Sequence, residues 1–184
     1  MLEPLKKEAI GSDFASKLTT QEYGRKLTIA GVELRSLNVF VDDGGALAEI
    51  ARFNESGNLE GLPQFKIRQS NFSQVLPGAV KAFHLHYNQE DIWFVHPFDR
   101  LLVGLVDCRK DSRTYNLSQR LVMGAGRAQV LYIPRGVAHG MCNLWETPVN
   151  MIYFVNQHFD PNNPDEHRLP WDLVGPDFWQ ISKG

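Results

Sequence analysis

The chain reads as an all-β protein, a closed antiparallel barrel or a double-sheet jelly roll, and three observations lead there. From Leu27 onward, short runs rich in β-branched and aromatic residues follow one another, each bounded by Gly, Pro, Asn or Asp. Some nine or ten such runs can be counted, with little helical signal between them. Several carry an apolar, polar alternation, the mark of strands with one face turned to a core. So many short strands need protected edges, which a barrel or a pair of packed sheets supplies.

Residues 1–26 differ from the rest. They are polar, and Ser12 or Asp13 is placed to cap a short helix within SDFASKLTTQEYG. They are read as an N-terminal arm with helical pieces, packed on the domain or on a partner subunit, and 27–184 as one jelly-roll domain. KLTIAGVELRSLNVFV (26–41) reads as two strands around Ala30-Gly31. Asp42-Asp43-Gly44-Gly45 is a hairpin signal, and ALAEIARF (46–53) returns from it. After a loop over 54–63, QFKIRQSNFSQV (64–75) is a strand, and Leu76-Pro77-Gly78 turns into GAVKAFHLHYNQEDIWFV (78–95).

DIWFVHPF (91–98) and LLVGLVDCR (101–109) read as a pair across Asp99-Arg100. KDSRTYN is a loop, and RAQVLYIP (127–134) is a strand stopped by Pro134. AHGMCNLW (138–145) and PVNMIYFVN (148–156) follow, joined across Glu146-Thr147. The tail from Gln157 is rich in proline and aspartate, with Trp171, Phe178 and Trp179 as expected hydrophobic anchors.

Composition narrows the function. With 184 residues, 43% hydrophobic and 22% charged, the chain resembles an ordinary soluble domain. A net charge of -2 gives nothing to draw it to nucleic acid or an anionic membrane. No apolar run approaches the ~18 residues needed to span a bilayer, and MLEPLKKEAI lacks a signal-peptide core. Cys108 and Cys142 are too few for a disulfide framework and read as free thiols in a reducing compartment. A cytoplasmic location is the expectation.

The chemistry gathers on histidines. His84 and His86 stand two apart in an apolar strand, so both imidazoles face one side. His139 follows the Pro134-Arg135-Gly136 turn. Glu90, Asp91, Asp107 and Tyr153 lie near these stretches. Gly78-x5-His84-x-His86-x3-Glu90, with Pro134-x-Gly136-x2-His139-x3-Asn143, resembles the two signatures of the cupin jelly rolls, save that Pro97 stands where the first usually has glycine. In metal-binding cupins the matching positions, here His84, His86, Glu90 and His139, are the ligands. Three imidazoles and a carboxylate suit a divalent transition metal such as Zn, Fe, Ni or Mn.

A closer resemblance covers residues 27–172. FVDDGGALAE (40–49), RQSNFSQVLPGAVKAFH (68–84), VDCRKDSRTYN, LYIPRGVAHGM and MIYFVNQHFDP (151–161) resemble successive segments of the dTDP-4-dehydrorhamnose 3,5-epimerase family, which uses the cupin barrel without a metal. The resemblance implies an isomerase acting on a keto-sugar, nucleotide-linked, with no cofactor. It makes His84 the general base that removes the proton next to the ketone and Tyr153 the acid that returns one from the opposite face. His139 stands beside them, hydrogen-bonded to Asp107, while Gln69, Asn71 and Lys81 bind substrate. A homodimer is implied as well. The logic is sound chemically, since a carbon acid beside a carbonyl needs a base of near-neutral pKa and a stabiliser for the enolate.

The departures from that family fall on substrate-binding positions. Gly44 replaces an arginine, Asp91 stands near an expected lysine, and Lys81 replaces an arginine, which loses a bidentate fork. Strict alternation sets Lys81 on the face opposite His84, so only a bulge brings both to one side. The carboxylate that orients the base has no obvious counterpart, Asp172 and Asp107 being the candidates. Three readings follow: a keto-sugar epimerase, a metal-dependent cupin isomerase or oxygenase using His84, His86, Glu90 and His139, and a sugar-binding barrel without chemistry.

Overall fold

A computed structural model describes residues 3–20 and 27–181. Its strands are β1 (Glu33–Ser36), β2 (Val39–Asp42), β3 (Gly45–Ala48), β4 (Gln69–Val75), β5 (Val80–Leu85), β6 (Asp91–Val95), β7 (Arg100–Asp107), β8 (Ser118–Gly124), β9 (Gln129–Ile133), β10 (Val137–Cys142), β11 (Val149–Val155) and β12 (His167–Arg168). They form two five-stranded antiparallel sheets, β1-β9-β6-β11-β4 and β12-β5-β10-β7-β8, with β2-β3 as a separate hairpin. The expected alternatives resolve to the double-sheet jelly roll.

The expected pairing of DIWFVHPF with LLVGLVDCR is corrected. β6 lies between β9 and β11 in one sheet, and β7 between β10 and β8 in the other. Both strands are buried along nearly their whole length, so each needs cover on both faces and a neighbour on each side. The two runs around Glu146-Thr147 likewise enter different sheets. β8, in NLSQRLVMGAG, was not anticipated; its alternation is weak, and it earns its place as the edge partner of β7. Residues 27–32 form a turn, so the 26–41 stretch yields its two strands around Leu37-Asn38 instead of Ala30-Gly31.

Three apolar clusters explain the stack. Trp93, Val95, Leu101, Val103, Leu105, Leu131 and Met151 meet between the sheets. On the outer face of the first sheet, Ile92, Phe94 and Tyr132 are covered by Leu59, Leu62 and Phe65 of the preceding long loop. On the second, Phe83, Leu102 and Val106 are covered by Trp179 of the tail. Trp179 fits because residue 104 is glycine; a Cβ there would stand 2.5 Å from the indole. Of the expected anchors, Phe178 and Trp179 pack down, whereas Trp171 stays half-exposed and contributes its carbonyl to the Trp179 indole at 2.8 Å.

The described arm holds a 3-10 turn at Lys7–Ala9 and one helical turn at Ser12–Ala15. Gly11 is its N-cap, and neither Ser12 nor Asp13 caps through a side chain. All of residues 3–20 except Ile10 are exposed, so the arm does not pack on this chain's own core. The remaining arm positions, 21–26, lie outside the described residues.

The register of β5 against β10 matters most for the site. His139 is paired with His84 and Met141 with Lys81, so three residues of β5 span two of β10. This bulge turns Lys81 and His84 to the same cavity, meeting the condition that alternation set. Glycine at 140 permits it, because a Cβ there would sit 2.3 Å from the Ala82 Cβ and 2.9 Å from the Lys81 carbonyl.

Candidate active site

A cavity of about 570 Å³ opens between the sheets. β5 and β10 bring His84 and His139 from one wall; β4, β6 and β11 bring Asn71, Asp91, Trp93 and Tyr153 from the other. His86 follows β5 directly and lines the same space. Polar groups converge there on an otherwise apolar lining of Met141, Met151 and Val155, the usual composition of a small-molecule site.

His84 is held by a carboxylate. Its Nδ1–H donates to Glu166 Oε1, which fixes the tautomer and leaves Nε2 as the basic nitrogen. That Nε2 is buried and has no hydrogen-bond partner among the described residues. Burial by itself would raise the Glu166 carboxyl, but the bond to His84 and the nearness of His84, His86 and Arg168 lower it, so it is ionised at neutral pH. Glu166 reaches His84 because β12 pairs with the free edge of β5, Arg168 opposite His84 and His167 opposite Leu85.

Asp165 locks the turn between β5 and β6. Its carboxylate accepts the backbone N–H groups of Tyr87 at 2.8 Å, Asn88 at 2.6 Å and Gln89 at 2.8 Å. Its carbonyl accepts the Nδ1–H of His86. Two consecutive acids in the tail thus orient both histidines of the opening strand.

His139 is buried, 3% exposed, and donates Nδ1–H to the Val137 carbonyl at 3.0 Å. Its Nε2 faces Asp91 Oδ2 at 3.6 Å, beyond hydrogen-bond distance. Burial lowers the pKa of its imidazolium, outweighing the attraction of Asp91, so the ring is neutral. Its ring lies parallel to that of His84, centroids 6.0 Å apart, and edge-on to Trp93 at 5.3 Å. Asp91 itself, 3% exposed, accepts the Trp93 indole N–H at 3.0 Å and the Gln89 amide at 2.9 Å.

Across the cavity, Tyr153 is paired on β11 with Asn71 and Trp93. Burial, then the negative charges of Asp91 and Glu166, push its phenol pKa up, so it stands protonated. Gln69 donates to Asn71 Oδ1 at 2.7 Å and accepts the Phe159 backbone N–H at 3.0 Å, tying the tail to the rim. Lys81 Nζ donates to the Gln74 carbonyl at 2.8 Å.

Two expectations are corrected. Asp107 does not bond His139: its carboxylate accepts from Arg109, Ser112 and Thr114, and it lies outside the cavity lining. The local order Asp-x-Arg-x2-Ser closes on itself, and β10 sets Val137, not His139, opposite Asp107. Glu90 is not grouped with the histidines: alternation turns it to the other side from Asp91, where it meets Asn156 and Tyr132. Glu166 was missed, and Asp172, named as a candidate, sits in the turn after β12. The only signal for Glu166 was the charged run Asp165–Arg168 between two prolines, and nothing local says which strand it meets.

Most of the chain is similar to known proteins. The sequence profile of dTDP-4-dehydrorhamnose 3,5-epimerase matches residues 26–174. The spore coat polysaccharide biosynthesis protein SpsL of Bacillus subtilis is 42% identical over 144 residues, 78% of this chain and 91% of that protein. The probable low-salt glycan biosynthesis epimerase Agl13 of Haloferax volcanii is 34% identical over 144 residues, 78% of this chain and 89% of that one. Among solved structures, the dTDP sugar isomerase of Desulfovibrio desulfuricans G20 superposes with a TM-score of 0.67 at 25% identity, covering 84% of this chain and 91% of its own. The chain therefore belongs to the dTDP-4-dehydrorhamnose 3,5-epimerase family.

Proposed function

We propose that this protein epimerises a nucleotide-linked keto-sugar by proton transfer at a carbon next to the ketone. The observation that carries the reading is the Glu166–His84 dyad: His84 lines the cavity with its buried Nε2 left without a hydrogen-bond partner among the described residues, and Tyr153 lines the opposite wall. His84 removes the proton; Glu166 orients the imidazole and stabilises the imidazolium that forms. Tyr153, whose phenol burial makes still harder to ionise, returns a proton to the opposite face of the same carbon, which inverts it. His139 packs parallel to His84 and walls the base in, and Asn71, Gln69 and Lys81 meet the sugar and its diphosphate. Both proton transfers are made by side chains of this chain, without an organic cofactor.

The related proteins are named for polysaccharide, glycan and dTDP-sugar chemistry, which supports a deoxysugar nucleotide as the substrate class. With glycine at 44 and lysine at 81, diphosphate recognition has fewer forked donors, so a nucleotide sugar other than dTDP-4-keto-6-deoxyglucose is the preferred candidate. Exposed Val39, Phe40, Val41 and Leu47 on the β2–β3 hairpin support a homodimer in which that hairpin is covered. Free Cys108 and Cys142 accord with a reducing, cytoplasmic setting.

The test is deuterium wash-in. Incubated in deuterium oxide with a panel of nucleotide 4-keto sugars, the protein is expected to exchange the hydrogen beside the ketone of one of them and yield its epimer. Exchange by His84→Ala as fast as by the parent would remove His84 as the base.

A further inference from the structure

We propose that His86, Asp91 and His139 form a divalent transition-metal site on the cavity wall, separate from the base His84. One donor atom from each of the three side chains lies within 4.8 Å of the other two, and all three residues are buried. They come from three different elements, the β5–β6 turn, β6 and β10, so the fold holds them together and not their neighbours in sequence.

The hydrogen bonds show what the nitrogens offer. His86 gives its Nδ1–H to the Asp165 carbonyl and His139 gives its own to the Val137 carbonyl. In each ring the remaining Nε2 is a lone pair, and each is directed at Asp91, at 4.0 Å and 3.6 Å. Two lone pairs and a carboxylate facing one another have acceptors on every side. The Gln89 amide partly fills the gap, 3.3 Å from His86 Nε2 and 2.9 Å from Asp91 Oδ1. A cation fills it better, and Gln89 turned over would present an oxygen to the same point. The backbone carbonyls on both Nδ1 atoms and the Trp93 indole on Asp91 are the outer contacts that orient metal ligands.

Two imidazoles and one carboxylate suit Zn, Fe, Co or Mn and leave coordination positions open. Donors around such an ion stand about 3–3.5 Å apart, so a pair as wide as the 4.8 Å limit closes by about 1.3–1.8 Å on binding. The set omits His84, whose Nδ1 is taken by Glu166, so a bound ion and a free base can share the cavity. This resolves the competition for His84 that a ligand set of His84, His86, Glu90 and His139 creates. Resting on the epimerase reading, a metal here supplies positive charge next to the ketone oxygen, where negative charge develops once the proton leaves. That charge is otherwise scarce: Lys81 serves the sugar diphosphate in this reading, and Arg168 lies 3.7 Å from Glu166.

The experiment uses tag-free, chelator-stripped protein titrated with Co(II). Expected are saturation at one equivalent per chain with a visible absorption band, a rise in Tm, and paramagnetic shift or broadening of the Trp93 indole resonance, whose N–H lies 3.0 Å from Asp91. Asp91→Asn is expected to weaken binding by at least about a hundredfold, since the set loses its only charged ligand. No saturable binding, or saturable binding that leaves the Trp93 resonance untouched, overturns the site; the second readout needs no variant and stands even if Asp91→Asn fails to fold. Deuterium exchange by protein that binds no ion would sink the metal site and leave the epimerase reading intact. One equivalent bound at Trp93 without exchange on any keto-sugar of the panel would do the reverse.

Discussion

His84 owes its usefulness to one bond. With Nδ1–H on Glu166, Nε2 is the nitrogen left to act as base, and removing the ring removes it; His84→Ala is expected to lower kcat by about 10²–10⁴-fold in a deuterium wash-in assay. Glu166 is a positioning residue. Glu166→Gln keeps the shape but not the charge, so kcat should fall by about 10–100-fold with KM little changed, and Glu166→Asp should recover part of the loss. Tyr153→Phe separates the two faces: deuterium should still enter from the His84 side while epimerised product disappears. Much of this was legible in the sequence. His84, His139 and Tyr153 lie in strands and turns whose local pattern is strong, and each lines the cavity. Asp91 and Glu166 were not assigned, one because a single residue decides which way a carboxylate faces at a strand's start, the other because its partner is 82 positions away.

At the level of elements, the β5 bulge and the Asp107 network carry the architecture of the site. Gly140→Ala would push a methyl into Ala82 and the Lys81 carbonyl, so a loss of about 1–3 kcal/mol in denaturant unfolding is expected, with weaker substrate binding as Lys81 and His84 shift. Asp107 fixes the loop after β7 to Arg109, Ser112 and Thr114. Burial alone would raise its carboxyl, yet those hydrogen bonds win and hold it well below the usual range. A folded-state pKa below the unfolded value means stability that is full above about pH 4 and is lost as pH falls from there. Asp107→Asn should therefore cost about 3 kcal/mol at neutral pH and flatten the acid limb of a Tm-versus-pH curve. The family order of Asp107, Arg109 and Ser112 points to the active site, yet those neighbours are the carboxylate's own hydrogen-bond partners.

For the whole molecule, the tail and the hairpin are the two segments whose roles lie furthest from their own composition. The tail crosses the second sheet, seats Trp179 in the space left by Gly104 and adds β12 to the edge of β5. The hairpin leaves Phe40 59% and Val41 79% exposed, which a partner copy would cover. Phe40→Asp is expected to shift sedimentation toward monomer at low micromolar concentration with little change in near-UV circular dichroism. Strand period and turn chemistry act within a few residues, so an all-β chain with its histidines gathered on strands can be read from residue order alone. It takes the folded chain to bring Glu166 to His84, to group Asp91 rather than Glu90 with His86 and His139, and to give Asp107 to the loop. Those outcomes depend on which strands become neighbours and on a one-residue bulge in their register, and both are settled by packing across the two sheets.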